Sequence, residues 1–277
     1  MKVKCWIEAA RLRTLPLSVS GIIVGSALAF SQTEFDGLLF SLLMATTVLL
    51  QILSNFANDL GDFQHGTDNA DRVGPKRTLQ SGGLTVSDMK RGISVAVILS
   101  LIVGMIMLWV AFGFGTCFWI FLVIGILAIV SAIRYTIGRN PFGYRGLGDL
   151  MVLIFFGLAT TVGSFFIITQ HLDVESWLLG FAMGFLSMGV LNINNLRDAE
   201  SDVKSGKRTI VVKLGIKFGQ YYHLILCILS IAIIAFCVSR QASPARLLWI
   251  ALPSVLLLVH GIKVFRIYDV KKLDPEL

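Results

Sequence analysis

The sequence predicts an all-α fold, a polytopic transmembrane helical bundle of eight spans with its N-terminus in the cytoplasm. Three observations predict it. Hydrophobic residues make up 55% of the 277 residues and charged residues only 15%, against the roughly 25% charge of soluble domains. The apolar residues fall in runs near the ~20 residues that a helix needs to cross a bilayer. The basic residues gather in alternate connecting loops.

In order, the spans read as 15–31, 38–57, 92–112, 115–133, 150–169, 176–194, 221–239 and 246–264. The first is rich in Ser and Gly and is the weakest of them. It is preceded by Trp6, Glu8 and Arg13, with no clean small-residue cleavage site after it, so no cleavable signal peptide is expected. The outer connections are short: 32–37, 113–114, 170–175 and 240–245. The inner ones, 58–91, 134–149 and 195–220, are long.

With the N-terminus inside, every Lys and Arg except Arg240 and Arg246, of 24 in all, lies on the inner side. That bias fixes the orientation and requires an even number of crossings. It also accounts for the net charge of +7 without a nucleic-acid partner. A multi-pass protein of the cell inner (plasma) membrane is expected, its polar machinery facing the cytoplasm. Irregular backbone near membrane depth is tolerated where it is buried or lines a wet cavity, so the inner loops should cap such a cavity.

The chain reads as a single membrane domain, 1–277. Lys76-Arg77-Thr78 and Lys207-Arg208-Thr209 follow the second and sixth spans. This echo suggests two related four-helix halves, about 1–133 and 134–277. Cys5, Cys117, Cys227 and Cys237 lack metal-type spacing and read as small apolar residues.

Two acidic clusters carry the chemistry. Asn58-Asp59-Leu60-Gly61-Asp62 closes the second span, and Asn194 to Asp202 closes the sixth. Carboxylates at membrane depth are costly and usually functional. Asn194, Asp198 and Asp202 are spaced i, i+4, i+8, which a continuing helix places on one face. Asn58 and Asp62 repeat the i, i+4 step, and Asp68 and Asp71 follow.

Acids without His or Cys form hard oxygen sites suited to Mg²⁺, which bridges one or two carboxylates to substrate phosphates. Arg72, Lys76, Arg77, Lys207 and Arg208 could neutralise the remaining phosphate charge. A membrane protein holding Mg-diphosphate points to a lipid diphosphate as substrate, the metal stabilising the departing group. The 19 phenylalanines, 5 tryptophans and 5 tyrosines offer ring faces to an allylic cation. They also serve ordinary helix packing. The middle inner loop, Tyr135 to Asp149, is turn-rich, and its Arg139 and Arg145 could bind an anion.

A divalent-cation transporter is the rival from another class. Such a protein should carry ionisable residues through its spans. Residues 92–133 carry none, and the two acidic clusters lie on one side.

Four stretches then carry a family likeness. They are Trp6 to Ser18; Asn55 to Asp62 with Gly66-Thr67-Asp68 and Gly74-Pro75-Lys76-Arg77; Tyr135 to Asp149; and Asn195 to Asp198 with Asp202 and Gly206-Lys207-Arg208-Thr209. In these the chain resembles the UbiA superfamily of intramembrane aromatic prenyltransferases, and within it the 1,4-dihydroxy-2-naphthoate polyprenyltransferases.

The resemblance implies Mg²⁺-dependent transfer of a polyprenyl chain from its diphosphate to 1,4-dihydroxy-2-naphthoate. Carbon dioxide is lost and demethylmenaquinol forms for menaquinone synthesis. It implies that Asn58, Asp62, Asp198 and Asp202 hold metal and diphosphate, with Asp59 and Asp68 assisting. It implies diphosphate or substrate contacts from Lys76, Arg77, Lys207, Tyr135, Asn194 and Asn195. Arg139 and Arg145 are the candidates for the naphthoate carboxylate. Many family members place a third acid where this chain has Gly66, and the family usually has nine spans rather than eight. Another acceptor, such as 4-hydroxybenzoate or homogentisate, is the alternative within the enzyme class.

Overall fold

The structure, a computed structural model, describes residues 2–67, 77–240 and 247–276. Among them, eight helical segments are long and apolar enough to cross a membrane.

The chain starts with a short helix, α1 (Lys2–Ala10), and turns sharply at Arg11 into the first span, α2 (Leu15–Phe30). The second and third spans are α3 (Gly37–Gln64) and α4 (Val86–Phe112), and the fourth is α5 (Thr116–Arg134). The fifth is composite: α6 (Gly148–Val152), a π-helical stretch (Leu153–Ala159) and α7 (Thr160–Thr169). The sixth is α8 (Val174–Arg197). Two short helices, α9 (Ala199–Lys204) and α10 (Ile210–Leu214), lead into the last spans, α11 (Ile216–Ser239) and α12 (Leu247–Arg266).

Local chemistry sets the helix starts. The Asp36 carboxylate accepts from Leu39 N–H at 2.9 Å at the head of α3. Thr85 and Asp88 form a reciprocal capping box on α4. The Asp173 side chain accepts from Glu175 N–H at the head of α8.

Small residues set the close helix approaches, as membrane helices require. Gly25 of α2 lies against Ser164 and Thr161 of α7, where an added Cβ would stand 2.2 Å from their oxygens. Gly157 in the π-helical stretch packs on Gly184 of α8 at similarly short range. Large apolar side chains such as Trp109, Trp119 and Leu252 face outward, as a lipid solvent dictates.

The structure lengthens several of the expected spans, among them the two that carry the acidic clusters. Backbone hydrogen bonding carries α3 on to Gln64, so the first acidic cluster occupies the last turns of a helix rather than a loop. The second cluster bends at Asp198, whose φ of −94° and ψ of 6° break α8 from α9. The Asp202 N–H still donates to the Asp198 carbonyl at 2.8 Å, so the i, i+4 step survives the bend.

Candidate active site

The ends of α3 and α8 meet over one cavity of about 1090 Å³. Its polar end is lined by Asn58 and Asp62 of α3, by Asn194, Asn195 and Asp198 at the end of α8, and by Asp202 and Lys207 beyond it. Its wall elsewhere is apolar and aromatic, including Phe121, Phe155, Phe156 and Phe166. Trp177 and Asp198 both line it and stand 21 positions apart along α8, roughly 31 Å at 1.5 Å per residue. The cavity therefore runs about the thickness of a hydrocarbon core.

Asp62 is buried, and its carboxylate accepts a 2.9 Å hydrogen bond from the Tyr144 hydroxyl. Tyr144 also pairs with Thr67, and its carbonyl accepts from Arg208 N–H at 3.0 Å. One residue of the middle loop thus ties the first inner segment to the third. Thr136 does similar work, its hydroxyl donating to the Ala57 carbonyl at 2.9 Å. Gly61 allows this contact, since a Cβ there would stand 2.5 Å from that of Thr136.

Lys207 joins the two arms electrically. Its ammonium lies 3.8 Å from Asp202 and 5.7 Å from the centre of the Tyr144 ring. Burial alone would lower its pKa, but the charges of Asp62, Asp202 and Asp198 hold it above the ordinary lysine range. Burial pushes the Tyr135 phenol up to about 12, against the pull of Lys207. Burial, and then the Asp62 charge, also raise Tyr144. Asp198 is held by two 2.8 Å bonds from the Arg197 guanidinium.

Not every expected site residue joins this group. Asp59 was expected to assist at the metal; instead it is buried in ion pairs with Arg11 and Arg77. Arg139 and Arg145 are exposed on the middle loop, away from the cavity lining, so the structure does not place them for an acceptor carboxylate. Arg145 instead offers its carbonyl to Lys213 at 2.7 Å. Asp68 and Lys76 lie outside the described residues. Arg11, Arg197 and Tyr144 belong to the site without having been singled out. All three lie within the stretches that carried the family likeness, which was the available signal.

The donors suit a hard cation. Asp62, Asp198, Asp202, Asn58 and Asn194 present oxygen ligands at one end of the cavity. Among the described residues no three His, Cys, Asp or Glu side chains gather tightly enough to enclose an ion. That fits Mg²⁺, which keeps several waters and takes only one or two carboxylates beside phosphate oxygens.

Residues 18–275 match the UbiA prenyltransferase family. The chain belongs to the UbiA prenyltransferase family. It is 41% identical to 1,4-dihydroxy-2-naphthoate octaprenyltransferase of Haemophilus influenzae, over 100% of this chain and 90% of that protein. Its fold resembles that of an apo UbiA homologue from Aeropyrum pernix, with a TM-score of 0.74 at 18% identity over 95% of this chain and 94% of that one. A UbiA homologue from Archaeoglobus fulgidus bound to DMAPP and Mg²⁺ aligns with a TM-score of 0.65 at 16% identity, over 97% and 90% of the two chains. The protein is thus a UbiA-type enzyme, a membrane prenyltransferase with eight membrane-length apolar helices among its described residues.

Proposed function

We propose that this protein transfers a polyprenyl chain from its diphosphate to 1,4-dihydroxy-2-naphthoate, with loss of CO₂, in menaquinone biosynthesis. One observation carries the reading: two acid-bearing helix ends open on the polar end of a long apolar cavity. Likeness to dihydroxynaphthoate octaprenyltransferases of similar length supports the acceptor.

Asn58, Asp62, Asn194, Asp198 and Asp202 would hold Mg²⁺, which when bound supplies charge neutralisation to the departing diphosphate. Lys207, held charged by its acidic neighbours, adds fixed positive charge at the same end. Tyr135 stays a neutral phenol there and can donate a hydrogen bond to a phosphate oxygen. As the allylic C–O bond breaks, the diphosphate takes its electron pair. The apolar wall keeps water from the allylic cation, and Phe155 and Phe156 offer it ring faces. The acceptor ring carbon bearing the carboxylate then forms the new C–C bond. The electron pair of the severed C–CO₂ bond restores aromaticity, so this carbon needs no separate base.

The loop charge pattern supports a plasma-membrane setting with the acidic end toward the cytoplasm. Placement of the acids at the ends of α3 and α8, the second and sixth spans, supports the reading of two four-helix halves.

Purified protein given Mg²⁺, farnesyl diphosphate and equal amounts of dihydroxynaphthoate, 4-hydroxybenzoate and homogentisate tests this. Mass spectrometry should find the decarboxylated prenyl-1,4-naphthalenediol, or its quinone, as the main product. A prenylated benzoate or homogentisate in its place would overturn the acceptor assignment.

A further inference from the structure

The cation-rich rim of the site rests on one residue that the chemistry above leaves unused. Asp59 is 1% exposed in the last turns of α3. Its carboxylate meets two arginines that come from distant parts of the chain. Arg11 arrives from the N-terminal segment, 48 positions away, and Arg77 from within the first inner loop, its Nε 3.7 Å from the Asp59 oxygen. Both arginines line the catalytic cavity.

Arg11 is held there at a conformational cost. Its φ of 51° and ψ of 61° lie in the left-handed region, which costs a non-glycine residue free energy unless the surroundings impose it. They do impose it. The Asn55 side chain donates to the Ala10 carbonyl at 2.8 Å and to the Thr14 hydroxyl at 3.1 Å. Thr14 N–H donates to the Arg11 carbonyl at 2.8 Å, and its hydroxyl does the same at 2.9 Å. Both flanks of Arg11 are thus fixed, one by α3 and one by the turn into α2. The Arg11 Nε is buried and has no hydrogen-bond partner.

A strained backbone, a side chain aimed at a cavity and an unpartnered buried donor are together costly to keep without a ligand. The buried Nε faces protein, but both arginines line the cavity, and their charge there suits an anion. The Asp59 charge offsets part of the arginines' mutual repulsion, so two guanidinium groups can stand side by side.

We infer that Asp59 is a positioning residue: it aims Arg11 and Arg77 as a paired cationic fork at the diphosphate of the prenyl donor, and it is not a metal ligand. This deepens the proposed function and rests on it. The fork gives the N-terminal segment a part in substrate binding, because the turn that follows α1 carries Arg11 to the cavity wall.

The test uses the full-length protein in detergent, with Asp59→Asn, Arg11→Gly and their double variant. Glycine removes the guanidinium while easing the left-handed backbone. Each variant is first checked by gel filtration and thermal melting. Initial rates are then measured against prenyl diphosphate at saturating Mg²⁺, and against Mg²⁺ at saturating diphosphate. Asp59→Asn and Arg11→Gly should each raise KM for prenyl diphosphate about tenfold or more. Mg²⁺ half-saturation should stay within about twofold. The double variant should be little worse than either single one, because the residues act as a unit. Asp59→Glu should recover part of the lost affinity.

A rise of about tenfold or more in the Mg²⁺ half-saturation of Asp59→Asn would restore Asp59 to the metal and overturn the inference. A lowered melting temperature with unchanged KM would reduce the trio to a structural clamp and overturn it too. If Asp59→Asn fails to fold, Arg11→Gly decides: an unaltered KM for the diphosphate sinks the fork. The wild-type product assay judges the acceptor and reaction separately, so the two ideas fail independently.

Discussion

Tyr144 donates its hydroxyl to Asp62 at 2.9 Å, while its backbone carbonyl receives the Arg208 amide at 3.0 Å. A middle-loop side chain therefore fixes the acid on α3 relative to the segment that follows Lys207. Hydrogen bonds to charged groups contribute about 1.5–3 kcal/mol. Tyr144→Phe should lower kcat/KM about 10- to 100-fold with the fold intact, by 1.36 kcal/mol per tenfold. Steady-state kinetics and a melting curve check it; unchanged kinetics would show that Asp62 needs no such anchor.

Asp62 and Asp198 approach the cavity from different helices and both act on Lys207. Replacing either with Asn keeps shape and removes charge. Turnover in each variant should fall below detection while gel filtration and helicity stay as in the wild type. Near-normal activity in either would remove that carboxylate from the mechanism.

Gly61 sits where helix α3 touches the Thr136 turn, with no room for a methyl group. Gly61→Ala forces overlap with Thr136 backbone and side chain, a class of change that costs about 1–3 kcal/mol. It should lower the melting temperature and also reduce activity, because the displaced end of α3 carries Asp62. Stability equal to the wild type would mean that the two segments are not in contact.

The pH response follows from Lys207 and Tyr135. Both have folded pKa values above their ordinary ones. A group raised in this way contributes stability that is fully present below its unfolded pKa, near 10 for both residue types. That contribution is lost only as pH rises through the folded value, about 12 for Tyr135. Lys207 should stay charged and Tyr135 neutral from pH 7 to about 10. Wild type and Tyr135→Phe should accordingly show alkaline limbs of the same position below pH 10. A limb there that the Phe variant abolishes would mean that the phenol ionises.

The eight spans were legible because each is a long apolar run, and that signal is local. Their ends were not: hydropathy falls after Ala57, but backbone hydrogen bonds carry α3 to Gln64. Asp62, Asp198 and Asp202 were legible because the spacing within each cluster is local to its own helix end. The partners of Asp59 were not, because Arg11 is 48 positions away and its left-handed backbone follows from side chains on another helix. Tyr144 lies 82 positions from Asp62, and a turn-rich loop gives no hint of which side chain turns inward. Arg139 and Arg145 looked equally suited to an anion, since charge alone does not say which arginine a fold exposes.

The central claim is that acids from α3 and α8 jointly hold one metal-bridged diphosphate. Calorimetric binding of a non-reactive prenyl thiolodiphosphate, with and without Mg²⁺, measures it most directly. Binding should require Mg²⁺ in the wild type and weaken about 100-fold or more in both Asp62→Asn and Asp198→Asn. Equal binding in EDTA, or a variant of either acid that binds like the wild type, would contradict it.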